Sequence, residues 1–188
     1  MKSGEMNRNT LNAMNNLGSV YNAQGKYSEA EILLKQCLDK AKIVLGENHY
    51  CTLDAMINLA NAYDLQDKHN DAEILLKQCL AKQKEVLGVN HSSTISTMHN
   101  LAGAYEGQGK YSKAEALYKQ CLGKNKVLLG ENNPDYLASM NNLALSYDHQ
   151  GKYSEAEALY KQCLDKNKVL LGENDPDYLA SVTNLALS

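Results

Sequence analysis

Several features that would assign the chain to a common class of protein are missing from its 188 residues. No apolar run approaches the roughly 18 residues that a transmembrane helix needs, so no membrane partner is expected. The five cysteines include no Cys-x-x-Cys pair, and residues 1–9 lack the apolar stretch of a secretion signal. These absences favour reduced thiols and a cytoplasmic location over a disulfide framework. A net charge of −3 provides no positive field, so nucleic acid is not expected as a partner.

Motifs for catalysis and cofactor binding are missing as well. The run Gly107-Gln108-Gly109-Lys110 superficially resembles a phosphate-binding loop. However, Ala104 and Tyr111 occupy positions where that motif requires Gly and Ser or Thr, and no strand precedes it. No set of nucleophile, base and orienting residue is evident. We therefore expect a protein that is not an enzyme and that uses no cofactor or metal.

What the sequence does contain is a repeat of 42 residues. Asn-Leu recurs at residues 16, 58, 100, 142 and 184, and Leu-Gly recurs at residues 45, 87, 129 and 171. A fixed period of this length is typical of a repeat array. It predicts a tail at 1–9 and a single array at 10–188, with units 10–51, 52–93, 94–135 and 136–177 and a partial unit at 178–188.

Each unit is predicted to form two helices. In the first unit, apolar residues at helical spacing run from about residue 10 to 24, and the second helix ends near Leu45. Gly25, like Gly109 and Gly151, suits a left-handed C-terminal cap, whereas Asp67 in the second unit predicts a turn that is slightly strained or differently shaped. Capping boxes predict the start of each second helix: Ser28 with Glu31, Asn70 with Glu73, Ser112 with Glu115, and Ser154 with Glu157.

Four cysteines follow the period and one does not. Cys37, Cys79, Cys121 and Cys163 recur every 42 residues, and we interpret them as small core residues. Cys51 lies outside this series, and we expect it to be an exposed loop thiol that reagents modify first. A zinc site formed by His49, Cys51 and His91 is an alternative that their neighbouring loop positions leave open.

The apolar pattern resembles the tetratricopeptide repeat (TPR). The pattern Met14-x-x-Leu17-Gly18-x-x-Tyr21, followed by Ala30-x-x-x-Leu34, is similar to the TPR signature, and the third unit matches it again. The period of 42, together with Asn-Asn-Leu, Gly-Lys-Tyr and Leu-Gly-x-x-x-Pro-Asp, resembles the kinesin light chain variety. The resemblance covers residues 10–188. It implies an all-α fold, a right-handed α-solenoid of stacked antiparallel helix pairs with about four and a half repeats.

The same resemblance implies that the first helix of each pair lines a concave groove. An asparagine ladder at 16, 58, 100, 142 and 184 lies on these helices. In TPR proteins of this kind such asparagines hold peptide backbones, although they could equally bond a neighbouring helix. Asn22 is among the other groove candidates. The predicted peptide-binding residues are Asn15, Asn16, Ser19, Asn58, Asn61, Asp64, His99, Asn100, Glu106, Asn141, Asn142 and Asp148.

The distribution of charged residues along the repeats predicts the charge of the ligand. None of the 19 Lys and Arg residues falls within 10–24, 52–66, 94–108 or 136–150, while Asp64 and Glu106 do. The predicted groove is therefore neutral to acidic. In this it differs from the groove of the kinesin light chain repeats that the sequence resembles, which suits acidic cargo segments. We expect a neutral or basic protein or peptide ligand. The alternative is that these carboxylates only solvate the inner face.

Three functional hypotheses remain. The first is a non-enzymatic protein–protein interaction scaffold that binds a peptide or helix in the concave groove. The second is a cargo-adaptor segment similar to kinesin light chain. The third is a structural or sensor array from a larger signalling protein. This last hypothesis includes end-to-end self-association, because the partial unit at 178–188 lacks its second helix.

Overall fold

The computed structural model describes residues 3–171, which contain eight α-helices and no β-strand. The helices are α1 (Ser3–Ala23), α2 (Tyr27–Leu45), α3 (Tyr50–Asp64), α4 (His69–Val86), α5 (Ser92–Gly107), α6 (Tyr111–Leu129), α7 (Pro134–Asp148) and α8 (Tyr153–Leu171). The predicted all-α class is confirmed. Helix α1 begins at Ser3 rather than near residue 10, and therefore includes Arg8. The predicted partial unit at 178–188 lies outside the described residues.

The helices form two compact units. In the first unit, α1 to α5 pack consecutively, and the first helices α1, α3 and α5 also pack side by side. In the second unit, α6 packs on α7 and α7 packs on α8. Consecutive antiparallel pairing is the arrangement that short connections between amphipathic helices favour.

The turn between the two helices of each repeat requires a left-handed residue. Gly25, Gly109 and Gly151 have φ values of 74°, 69° and 72° at this position, and Asp67 has 58°. Asp67 is the only non-glycine residue with positive φ among the described residues. An L-residue other than Gly is strained in this conformation, although Asp tolerates it better than most. The turn at Asp67 thus keeps the backbone shape of the glycine turns, so of the two expectations the strained turn remains and the different shape is wrong.

The predicted capping boxes are wrong. Helices α2, α4 and α6 begin one residue before the expected cap, and their N-cap residues Lys26, Lys68 and Lys110 make no side-chain capping bond. Ser154 likewise lies inside α8. The reason is visible at Glu31, whose carboxylate accepts charge-assisted hydrogen bonds from two lysines instead of reaching back to the backbone.

The recurring cysteines belong to the core, as predicted. Cys37, Cys79, Cys121 and Cys163 are all buried. Cys37 Sγ lies 3.3 Å from the carbonyl oxygen of Leu11 in the preceding helix. Burial raises the pKa of the Cys79 and Cys121 thiols to about 12, so both remain protonated and act as small apolar side chains.

Cys51 is not the exposed thiol that the sequence predicts. It lies in the first turn of α3 and is 4% exposed. Its Sγ donates a hydrogen bond to Asn12 Oδ1 at 3.0 Å. The error arises because α3 begins at Tyr50, which turns the expected loop residue into a helical one facing α1.

The neighbouring histidines are helix caps. His49 Nδ1 accepts a hydrogen bond from the Cys51 backbone N–H, and His91 Nδ1 accepts one from that of Ser93, both at 3.2 Å. Asn133 caps α7 in the same way. A side-chain acceptor at this position satisfies an otherwise unpaired helical N–H. His49 and His91 therefore each have a local structural role at their own helix.

Candidate functional site

The candidate site is a pocket on the face formed by α1, α3 and α5, which we call the first-helix face. The pocket has a volume of about 400 Å³ and lies between α1 and the C-terminal half of α3. Its lining residues are Ser19, Asn22, Ala23, Asn58, Asn61, Asp64 and Leu65. Because these residues lie one helical turn apart on adjacent helices, their polar groups converge on one space.

Side-chain amides link the three helices of this face. Asn58 Nδ2 donates to Asn15 Oδ1 at 3.0 Å, and Asn100 Nδ2 donates to Asn61 Oδ1 at 3.3 Å. Asn22 Nδ2 donates to the backbone carbonyl of Asn58 at 3.2 Å. These bonds fix the orientation of the amides. The ladder residues Asn58 and Asn100 therefore bond adjacent helices, as one of the two sequence interpretations expects.

One acceptor in the pocket is left without a donor. Asn22 Oδ1 is buried and accepts no hydrogen bond from any described residue. A buried carbonyl oxygen without a partner carries a desolvation cost of about 1–3 kcal/mol. Asn22 is therefore a polar residue of the pocket whose hydrogen-bonding capacity the described residues do not fully use.

Asp64 supplies the negative charge of the pocket. Its Oδ1 lies 2.7 Å from His69 Nδ1, at the start of α4. The imidazole of His69 fits against α5 because residue 107 is glycine; a Cβ atom there would lie only 2.4 Å from the ring. The sequence interpretation missed His69, although it stands where the other repeats have Tyr, a substitution that marks the position as unusual.

The remaining predicted site residues are distributed over both units. Asn16 is exposed on α1, and His99 and Glu106 are partly buried on α5. Asn141, Asn142 and Asp148 are partly buried on α7, in the second unit. Their membership of a ligand site stays a prediction.

A second polar feature, also missed by the sequence interpretation, joins successive repeats. In the Glu31 cluster, Glu31 accepts hydrogen bonds from Lys35 at 2.6 Å, Lys68 at 2.7 Å and Gln66 at 2.9 Å. Lys35 lies in the same helix, whereas Gln66 and Lys68 belong to the next repeat. The bonds from Lys35 and then Lys68 lower the pKa of Glu31 to about 2.

The second unit contains an equivalent Glu115 cluster. Glu115 accepts hydrogen bonds from Lys119 at 2.6 Å, Lys152 at 2.7 Å and Gln150 at 2.9 Å. Burial acts to raise the pKa of Glu115, but the hydrogen bonds from Lys119 and Lys152 outweigh it and lower the pKa to about 2. The i,i+4 pairs Glu31–Lys35 and Glu115–Lys119 are thus each part of a larger contact between repeats. Gln and Lys recur at these two positions of the 42-residue repeat, and this recurrence is the sequence signal that could have revealed the contact between repeats.

Two negative findings apply to the described residues. No group of three His, Cys, Asp or Glu side chains within residues 3–171 is placed to hold a metal ion, so His49, Cys51 and His91 do not assemble into the alternative zinc site. None of the described helices has the length and apolar character needed to cross a membrane.

Comparison with known proteins identifies the family. Tetratricopeptide repeat profiles match residues 9–85 and residues 94–135 and 137–177. A crystal structure of a Podosopora anserina kinesin light chain protein with nearly identical TPR-like repeats is 30% identical in sequence, with a TM-score of 0.84. That similarity covers 100% of this chain and 87% of the other. The chain is a tetratricopeptide repeat protein.

Other solved structures share the fold at lower identity. BtubC (BKLC) from P. vanneervenii has a TM-score of 0.82 at 21% identity, over 98% of this TPR chain and 78% of its own. A Rap protein complexed with Competence and Sporulation Factor has a TM-score of 0.75 at 15% identity. That match covers 100% of this chain and 54% of the Rap chain. A search of curated protein sequences found no significant match.

These matches confirm two of the sequence predictions. The chain resembles kinesin light chain repeats, and its fold is an all-α solenoid of about four TPR helix pairs. The TPR family is a protein-interaction scaffold, and no catalytic family is indicated. Protein or peptide partners are therefore the class of ligand to consider.

Proposed function

We propose that the chain binds an extended peptide or a helix of a partner protein on its first-helix face, with asparagine side chains bracketing the ligand backbone. The observation that carries this proposal is the pocket between α1 and α3, where the buried Asn22 Oδ1 has no donor among the described residues. An amide offers both donors and an acceptor, so it can bond both groups of a peptide unit.

We propose further that the ligand is neutral or basic. Helices α3 and α5 contain no Lys or Arg, while Asp64 lies in the pocket and Glu106 lies on α5. A groove of this charge disfavours acidic segments through electrostatic repulsion. The free state of all five cysteines supports a cytoplasmic location for this interaction, because the cytosol keeps thiols reduced.

A peptide-display selection followed by fluorescence anisotropy tests the proposal. We expect selected peptides to be neutral or basic and to lose about fivefold to tenfold in affinity for Asn58→Ala, which removes about one hydrogen bond. Asn70→Ala is the matched control, because Asn70 is exposed on α4. Chemical unfolding of both variants separates lost binding from lost stability.

Two outcomes would contradict this assignment. If the selection enriches no peptide, the first-helix face does not bind extended chains. If selected peptides bind Asn58→Ala as tightly as the parent protein while its stability falls, the ladder asparagines are structural. A preference for acidic peptides would overturn the charge assignment alone.

A kinesin light chain-like cargo adaptor is the second candidate, favoured by the 30% identity over the whole chain to a kinesin light chain protein. This candidate also predicts peptide binding, and the charge of the first-helix face favours neutral or basic cargo. A self-associating array is the third candidate, and the exposed Leu17 and Val20 on α1 support it. Light scattering over a concentration series tests it, and a strict monomer would exclude it.

A further inference from the structure

The helices α3, α5 and α7 begin with caps of one geometry but of two chemical types. Their N-cap residues are His49, His91 and Asn133, which occupy one position of the 42-residue repeat. In each cap a side-chain atom accepts a hydrogen bond from the backbone N–H two residues further along the chain. The accepting atom is Nδ1 in the two histidines and Oδ1 in the asparagine.

The histidine caps require a neutral imidazole. A backbone N–H can only donate, so Nδ1 must accept and the single ring proton must lie on Nε2. Histidine takes up a second proton between about pH 5 and 8, and its ring then has no acceptor left. Protonation also places a positive charge at the N-terminus of a helix, where the helix dipole disfavours it. The amide of Asn133 undergoes no such change.

We propose that His49 and His91 form an acid-sensitive switch in the first unit: protonation releases the caps of α3 and α5, whereas α7 in the second unit keeps its cap. Because the folded chain must give up a hydrogen bond to take up each proton, the unfolded chain takes it up more readily. The stability of the first unit therefore falls as the pH falls through the histidine range. This inference does not depend on the proposed peptide-binding function.

At α3 the cap supports the contact between the first two repeats. Cys51 Sγ, in the turn that His49 caps, donates to Asn12 Oδ1 on α1 at 3.0 Å. In the same turn, Thr52 Oγ1 donates to the carbonyl oxygen of Gly46 at 2.7 Å. Release of the cap therefore weakens a helical turn that contacts both the neighbouring first helix and the preceding loop.

The charged groups around the two caps differ. Glu47, in the loop before His49, pairs with Lys82 of α4 at 2.6 Å. In the loop before His91, valine replaces this glutamate. Neither histidine forms an ion pair with a carboxylate within residues 3–171 that would compensate for the lost cap. The other titratable or charged groups are Arg8 of α1, Lys42 of α2, and Tyr50 and Cys51 of α3 around His49, and Lys84 and Glu85 of α4 before His91.

The first test is an NMR titration of the full chain from about pH 7.5 to 5.5, across the range in which histidine titrates. We expect both rings to carry their proton on Nε2 at the higher pH. The backbone amide signals of Cys51 and Ser93 should shift as the rings become protonated, while the amide signal of Asp135 stays unchanged. A ring proton on Nδ1 at the higher pH, or amide signals that do not follow the rings, would overturn the proposal.

The second test is chemical unfolding of the full chain over the same pH range. Acid should raise the unfolding equilibrium constant of the parent protein by about fivefold for each histidine cap, the usual effect of losing one cap. His49→Asn and His91→Asn each supply the acceptor that α7 already uses, so each should remove about a fivefold share of this rise. The converse change Asn133→His should add a similar acid response in the second unit.

The variants also provide the contrary outcome. If the parent protein, His49→Asn and His91→Asn lose stability equally as the pH falls, the caps do not sense acid and the proposal is wrong. The substitution to asparagine keeps a side-chain acceptor at the same repeat position, so these variants retain a capped helix at all pH values tested.

Discussion

The helices α1 and α3 have equivalent positions in successive repeats but different surroundings. Leu17 on α1 is 42% exposed, whereas its counterpart Leu59 on α3 is 3% exposed. Val20 and its counterpart Ala62 differ in the same way. Helix α3 packs on α1 and α2 of the preceding repeat, and this contact covers Leu59. The comparison shows that burial in a repeat array is set by the neighbouring repeat as much as by the residue itself.

The largest effect that tests this comparison is expected from truncating Leu17 and Leu59 to alanine. Leu59→Ala should lower the free energy of unfolding by about 2–5 kcal/mol, because it leaves a cavity in the core. Leu17→Ala should lower it by less than about 1 kcal/mol, since Leu17 is substantially exposed. Urea unfolding of both variants measures the difference. Equal losses would mean that the face of α1 is covered in solution.

A smaller effect is expected at the glutamates that join repeats. Glu31 and Glu115 have side chains that are 15% and 14% exposed and bond the following repeat, whereas Glu157 is 53% exposed and pairs with Lys161. Glu31→Gln and Glu115→Gln should each reduce stability by on the order of 1 kcal/mol, because the partly exposed lysines are screened by water. Glu157→Gln should have a weaker effect.

The same glutamates predict an acid dependence. Their pKa falls from 4.5 to about 2 on folding, so the unfolded chain binds protons first. Their contribution is therefore complete above pH 4.5 and is lost as the pH falls towards 2. Unfolding curves across this range should show a shallower decline for Glu31→Gln than for the parent protein. Parallel curves would contradict the assigned role of Glu31.

The smallest expected effect concerns the turn between paired helices. Asp67 has the left-handed conformation that glycine adopts at the same position in the other three repeats. Asp67→Gly should relieve this strain and stabilise the protein by up to about 1 kcal/mol. The converse change Gly109→Asp should destabilise it by a similar amount. Thermal unfolding of the pair measures both, and destabilisation by Asp67→Gly would indicate that its side chain is needed.

Periodic features of the sequence predicted the fold well. The 42-residue period located the helix pairs, the left-handed turns and the four buried cysteines, because each follows from a residue type repeated at one position. Helix starts were predicted less well: the capping boxes failed because Glu31 has stronger partners than a backbone N–H. Cys51 was misjudged because its burial depends on α1, a neighbour that local sequence does not reveal.

The candidate site was predictable only in outline. The position of Asn58, Asn61 and Asp64 on first helices follows from the period, and the structure places all three at one pocket. The direction of each hydrogen bond does not follow, since an amide can donate or accept. The involvement of His69 was also beyond the sequence interpretation, because it depends on the space that Gly107 provides in the next repeat.

The fit of His69 against Gly107 has a consequence for how such an array can change during evolution. Tandem duplication of residues 52–93 would place a leucine, the copy of Leu65, opposite His69, because the period is 42 residues. Even a single Cβ atom at that position would lie 2.4 Å from the imidazole. The repeats are alike in sequence, yet they are not interchangeable: a side chain opposite His69 would displace the imidazole and break its 2.7 Å contact with Asp64 Oδ1.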